Sequence, residues 1–156
     1  MIAGVVTASR QAIIHLTVRG PEGQEQEIEA VIDRGFDGTL TLPPALITVL
    51  GLVWRRRGRA LLAGGSESLF DIYEAIVDWD GEPRRIAVDE ADIDPLVGMS
   101  LLYGYELIVQ AIEGGTVIIQ PLPQPQTYRI SATAARHGAS MILVGSYSAG
   151  QLAFKA

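Results

Sequence analysis

Chain-reversal signals recur at short intervals through the first 122 residues. They are Gly20-Pro21-Glu22-Gly23, Asp37-Gly38, Gly51, Gly64-Gly65-Ser66-Glu67, Asp80-Gly81, Asp94-Pro95 and Gly114-Gly115. The apolar residues between them fall into short runs, several of them alternating with polar ones. That pattern belongs to strands joined by tight turns, and it leaves room for only short helices.

Gly4 to Val6 and Ala12 to Val18 read as strands; Ile14, Leu16 and Val18 alternate with His15 and Thr17, as on a half-buried strand. Glu27 to Ile32 alternates, turns continuously apolar, and then breaks at Asp33-Arg34-Gly35-Phe36-Asp37-Gly38. A strand of that kind runs inside and delivers a loop there. Thr39 to Leu42 is a further strand. Pro43-Pro44 opens a helix over Ala45 to Leu50, which Gly51 ends with a left-handed cap. Gly58 to Ala63 and Leu69 to Trp79 form a hairpin with a glycine-rich tip, and Arg84 to Val88 follows the Asp80-Gly81 turn. Leu96-Val97-Gly98 reads as a buried strand end and Met99 to Tyr105 as a short helix. Glu106 to Ile112 and Thr116 to Gln120 make a last hairpin. The expected fold is mostly β with two short helices, small enough to need closure or pairing to protect its edges.

Pro121-Leu122-Pro123-Gln124-Pro125-Gln126 reads as an extended linker, dividing a domain at 1–122 from an extension at 123–156 of unknown role. In the extension, Ile130 to Arg136 reads as helical and Met141 to Val144 as a strand. All 18 acidic residues and nine of the 12 basic ones lie in the first part, which is therefore strongly acidic. An acidic body argues against nucleic acid as a partner, because phosphate binding needs clustered cations. Arg55-Arg56-Arg57-Gly58-Arg59 is short and reads as a solvated strand or the start of a loop. The chain has no cysteine, which removes thiol nucleophiles, disulfides and thiolate metal sites. His15 and His137 lack acidic partners at ligand spacing, so no metal and no cofactor is expected. No apolar run is long enough to span a bilayer and no signal peptide is visible, so the expectation is a cytoplasmic protein without a membrane partner.

Two segments carry chemistry together: Val31-Ile32-Asp33-Arg34-Gly35, and further on Pro95-Leu96-Val97-Gly98. An apolar strand ending in Asp-x-Gly, followed later by two apolar residues and a glycine, resembles the retropepsin-like aspartic proteases. Ile32-Asp33-Arg34-Gly35-Phe36-Asp37-Gly38-Thr39-Leu40-Thr41-Leu42-Pro43 is similar to the small bacterial and archaeal members, as is Asp94-Pro95-Leu96-Val97-Gly98-Met99-Ser100-Leu101-Leu102-Tyr103-Gly104. The resemblance spans about 1–122 and implies a mostly β fold, a retropepsin-like closed β-barrel with one or two short helices, and a peptide or protein substrate. It also implies a homodimer, because the chain has one such motif while the chemistry needs two carboxylates. Asp33 would be the catalytic residue. Arg34, Gly35, Leu96, Val97 and Gly98 would support its loop, and Ala63, Gly64, Gly65 and Ser66 would form a flap over substrate.

The chain departs from that family directly after the aspartate. The family's Thr or Ser is Arg34 here, and Gly64 stands where relatives often carry Asp. The hydroxyl normally bonds across the dimer, whereas arginine is longer and offers no acceptor. Two guanidinium groups near a two-fold axis repel, so weakened pairing and reduced or absent activity are expected. Two other readings stay open. One is a protease-like module that binds a peptide or protein without cutting it. The other is a plain β domain with an incidental Asp33. Asp37, Asp71, Asp78, Asp80, Asp89, Asp92 and Asp94 read as turn, capping or solvated residues, and Trp54, Tyr73 and Trp79 as core or interface aromatics.

Overall fold

The computed structural model describes residues 1–61 and 65–123, together with the strand residues Ser131–Ala132 and Met141–Ile142. Met1–Leu122 form one compact unit and Pro123–Ala156 another.

The first unit is mostly β. Its strands are β1 (Ile2–Val6), β2 (Ala12–Arg19), β3 (Glu25–Ile32), β4 (Leu40–Leu42), β5 (Val53–Leu61), β6 (Glu67–Trp79), β7 (Glu82–Glu90), β8 (Leu96–Val97), β9 (Tyr105–Val109) and β10 (Thr116–Pro121). Two short helices interrupt them, α1 (Pro44–Leu50) and α2 (Met99–Leu102). The strands lie in the order β5-β6-β7-β4-β8-β3-β2-β1-β10-β9, and a further pairing joins β2 to β6. That pairing, Val18 opposite Val77 and Arg19 opposite Ile76, closes β6, β7, β4, β8, β3 and β2 into a ring. Closure removes the edges of those six strands, which an open sheet would leave as hydrogen-bonding templates.

The alternation of β2 explains its place. Ile14, Leu16 and Val18 are buried in the core, while His15 is exposed beside Glu27 of β3. The core also takes Leu40, Leu42, Val77, Trp79, Val88, Val97 and Leu101. Each such side chain contributes roughly 1.5–3 kcal/mol on burial. At the end of β6, Asp80 and Gly81 both adopt positive φ (56° and 84°) between the paired Trp79 and Glu82. A two-residue turn of that type matches the twist of the strands it joins. Gly51 caps α1 at φ 59°, and Pro44 stands within its first turn, as the sequence suggests.

Several expectations need correction. The helix from Met99 ends at Leu102, because Gly104 turns the chain at φ 89° and Tyr105 already opens β9. β9 stops at Val109 rather than Ile112: Gly115 packs against the Gln110 carbonyl, and the segment between them forms the turn. β5 begins at Val53, before the expected Gly58, and carries the arginine run as a strand. Cross-strand acids on β6 favour this: Arg55 pairs with Glu74, Arg57 with Asp71 and Arg59 with Glu67. Trp54 is no core residue; it is 53% exposed and donates its indole N–H to Asp71. Trp79 is buried and meets the Tyr105 ring edge-on. In the second unit, Ser131–Ala132 is a strand paired with Met141–Ile142, not part of a helix over Ile130 to Arg136. The rest of that expected helix, His137, and the linker beyond Pro123 lie outside the described residues.

Candidate functional site

β8 lies between β3 and β4. It runs parallel to β3 (Val31 opposite Leu96, Ile32 opposite Val97) and antiparallel to β4 (Leu40 opposite Val97). The chain leaving β3 must therefore reach β4 across the end of an inserted strand, a span of roughly 9.5 Å at ordinary strand spacing. The loop that makes this crossing begins with Asp33-Arg34-Gly35.

Hydrogen bonds fix both of its ends. The Asp33 N–H donates to the Val97 carbonyl at 2.9 Å, and the Val31 N–H to that of Pro95 at 2.8 Å. On the other side, the Gly98 N–H donates to the Thr39 carbonyl at 3.0 Å. The Leu96 N–H donates at 2.9 Å to the hydroxyl of Thr41, a buried polar residue. α2 begins directly under the crossing: the Met99 N–H donates to Phe36 O (2.8 Å) and the Ser100 N–H to Gly38 O (3.0 Å). The Ser100 hydroxyl adds a bond to the Asp37 carbonyl.

Asp33 is half-buried, and one of its carboxylate oxygens accepts the Gly35 N–H at 2.8 Å. That bond holds the carboxylate within its own loop in the manner of an Asx turn. The demand for glycine is greater elsewhere. A Cβ at Gly35 would meet only the Asp33 carboxylate, at 3.2 Å. A Cβ at Gly98 would come within 2.3 Å of the Gly38 carbonyl and 2.5 Å of the Phe36 ring. Gly98, Gly38 and Phe36 thus form the tight contact on which the loop rests, with Val97 fully buried beneath. Leu96 is only partly covered.

Arg34 is exposed and makes no ion pair among the described residues. Of the expected flap, Ala63 and Gly64 lie outside the described residues. Gly65, at φ 79°, and Ser66 are exposed beside the tip of the β5–β6 hairpin. Two surface concavities are lined by other residues. One of about 260 Å³ is bounded by Arg57, Leu69, Phe70, Asp71 and Glu90, and one of about 510 Å³ by Val6, Arg10, Val109, Ile112 and their neighbours. Neither includes Asp33. Among the described residues no group of three or more His, Asp or Glu is placed to hold a metal ion, and no helix is long and apolar enough to cross a membrane.

Asp89, read from the sequence as a turn, capping or solvated residue, is instead half-buried against the aspartate loop. It sits on β7 opposite Thr41, and one of its carboxylate oxygens would lie 3.2 Å from a Cβ on Gly38. Burial pushes its carboxyl above the usual range; Arg56 opposes the rise and Asp37 adds to it. The sequence carried no signal for this, since only the parallel β4–β7 pairing brings Asp89 against the loop.

The described fold is thus a closed, mostly β unit with an aspartate loop crossing an inserted strand. It is similar to that of EIAV protease complexed with the inhibitor HBY-793 (16% identity, 61% of this chain and 88% of that one, TM-score 0.47). It is also similar to a retropepsin-like aspartic protease from Rickettsia conorii (18% identity, 76% of this chain and 87% of that one, TM-score 0.48). No family model and no curated protein matches the chain.

Proposed function

We propose that the chain is an aspartic endopeptidase of retropepsin-like kind, with its catalytic domain in residues 1–122. It acts as a homodimer to which each copy contributes one Asp33. The observation that carries this reading is the loop itself: a half-buried aspartate closing an apolar strand, anchored to Val97 and packed on Gly98.

Two facing carboxylates cannot both ionise readily, and the reaction uses the form in which the pair shares one proton. The ionised Asp33 takes a proton from a water whose oxygen attacks the peptide carbonyl carbon. The protonated Asp33 donates to the carbonyl oxygen. Collapse of the tetrahedral intermediate sends a proton to the leaving nitrogen and breaks the C–N bond. The substrate would bind extended, through main-chain hydrogen bonds beneath the β5–β6 hairpin. An exposed Arg34 approaches its counterpart when two copies meet, and the repulsion lowers both pairing and rate.

The test is casein cleavage by the parent, Asp33→Asn and Arg34→Thr forms. Expected are weak, pepstatin-sensitive hydrolysis with an acidic optimum, its loss in Asp33→Asn, and a gain of at least tenfold in Arg34→Thr. An inert parent with an active Arg34→Thr form supports the binding module instead. No cleavage by either form overturns the protease reading.

A further inference from the structure

The loop that carries Asp33 is tied to β7 as well as to β8. The Thr39 hydroxyl donates to the Ala87 carbonyl. Two residues further along β7, the Asp89 carboxylate stands against Gly38, where a Cβ would lie 3.2 Å from one of its oxygens. Register sets what faces it. Arg56 of β5, Ile72 of β6, Asp89 of β7 and Thr41 of β4 form one row across the sheet, and residues directly opposite share a face. Acids of β6 pair with Arg55, Arg57 and Arg59. Arg56 instead stands opposite Ile72 and faces Asp89 beyond it, without forming an ion pair. Asp37 faces the same carboxylate from the loop. Ile72 and Thr41, the row's members on β6 and β4, carry no titratable group.

We propose that Asp89 is a positioning residue for the aspartate loop: its carboxyl keeps the Asp37–Gly38 end of the loop seated on β7 when protonated and lets that end lift when ionised. The coupling follows from linkage. With the loop seated, a charge on Asp89 is short of water and close to Asp37. Lifting the loop hydrates the carboxylate and takes Asp37 away. Ionisation therefore favours the lifted form, and a bound proton favours the seated one. Arg56 acts in the opposite sense, because it stabilises the charge in place. The carbonyls of Phe36, Gly38 and Thr39 accept the N–H groups of Met99, Ser100 and Gly98, so lifting frees three amides where α2 begins. Acid thus sets the loop, and Asp33 with it. That this serves hydrolysis rests on the reading above; the coupling itself rests on the contact with Gly38 and on the row across the sheet.

Amide hydrogen exchange of the full chain without substrate, followed by NMR from the ordinary aspartate range to neutral pH, tests this. Protection at Gly98, Met99 and Ser100, corrected for intrinsic exchange, should fall severalfold as pH rises, while protection at Ile14 and Leu16 in β2 holds. Asp89→Asn should stay protected at every pH. Arg56→Gln should move the fall to higher pH and Asp37→Asn to lower pH, opposite signs that a general loss of stability does not produce. Flat protection in the parent overturns the proposal. So does an Asp89→Asn form that keeps the parent's pH dependence, or a shift of the same sign in Arg56→Gln and Asp37→Asn. An equal fall in β2 overturns it too, since that marks a change in the whole molecule. Exchange is read apart from hydrolysis. A loop seated by acid, in a chain whose Arg34→Thr form also cuts nothing, defeats the protease reading and leaves the role of Asp89 standing.

Discussion

Gly98 has an extended backbone at φ −102° that any residue adopts, so its requirement is spatial. A methyl group there would drive into the Gly38 carbonyl, which belongs to backbone held by Ser100 and cannot swing aside. Gly98→Ala should therefore cost about 1–3 kcal/mol in thermal or urea unfolding. It should also lower any Asp33-dependent activity, while Gly35→Ala costs less stability. Asp89 gives a pH signature. Its carboxyl is raised in the folded state, so the folded chain holds that proton more tightly than the unfolded chain does. Stability is then lost as pH rises from the ordinary aspartate range through the raised value. Asp89→Asn should raise Tm at neutral pH, with the gain shrinking as the medium is acidified toward the ordinary aspartate range. A Tm difference that does not change with pH would contradict the assignment. The aspartate of the loop could be read from Asp33-Arg34-Gly35 beside an apolar strand. The dependence on Gly98 over Gly35 could not, because it arises from a contact between segments far apart in the chain.

At the scale of elements, β8 is two residues long yet bonds to both neighbours. Thr41 supplies one of those bonds from a buried side chain. Thr41→Val keeps the shape and removes the acceptor, leaving the Leu96 N–H unpaired. The expected cost is about 1–3 kcal/mol in urea unfolding, with Thr41→Ser close to the parent. The sequence suggested Leu96-Val97-Gly98 as a buried strand end because apolar residues precede a glycine. It could not indicate that this strand enters between β3 and β4, which follows from packing. The ends of α2 and β9 were misjudged for a related reason. Tyr105 suits helix and strand alike, and the choice fell to Gly104 and to the contact with Trp79. The arginine run of β5 likewise became strand once acids on β6 stood opposite it.

For the whole molecule, the ring closes at the β2–β6 seam, which is only two residue pairs long. Arg19 spans it, donating to both carboxylate oxygens of Asp78 at 2.9 and 2.7 Å and also to Glu25. A paired, bidentate geometry of this kind outperforms an ordinary surface ion pair. Arg19→Gln should lower Tm, and hydrogen exchange should quicken at Val18 and Val77 before it does in the rest of β2 and β6. Uniform quickening across the sheet would show that the seam opens only with global unfolding. The order of strands and turns, and the loop that carries Asp33, were set by the sequence alone, because both are local: alternation, glycine and proline act within a few residues. Ring closure, the insertion of β8, the burial of Asp89 and the place of β9 at the end of the ten-stranded sheet were decided only in the tertiary structure. Each is a relation between distant segments, and it exists only once buried apolar faces have fixed which strands are neighbours.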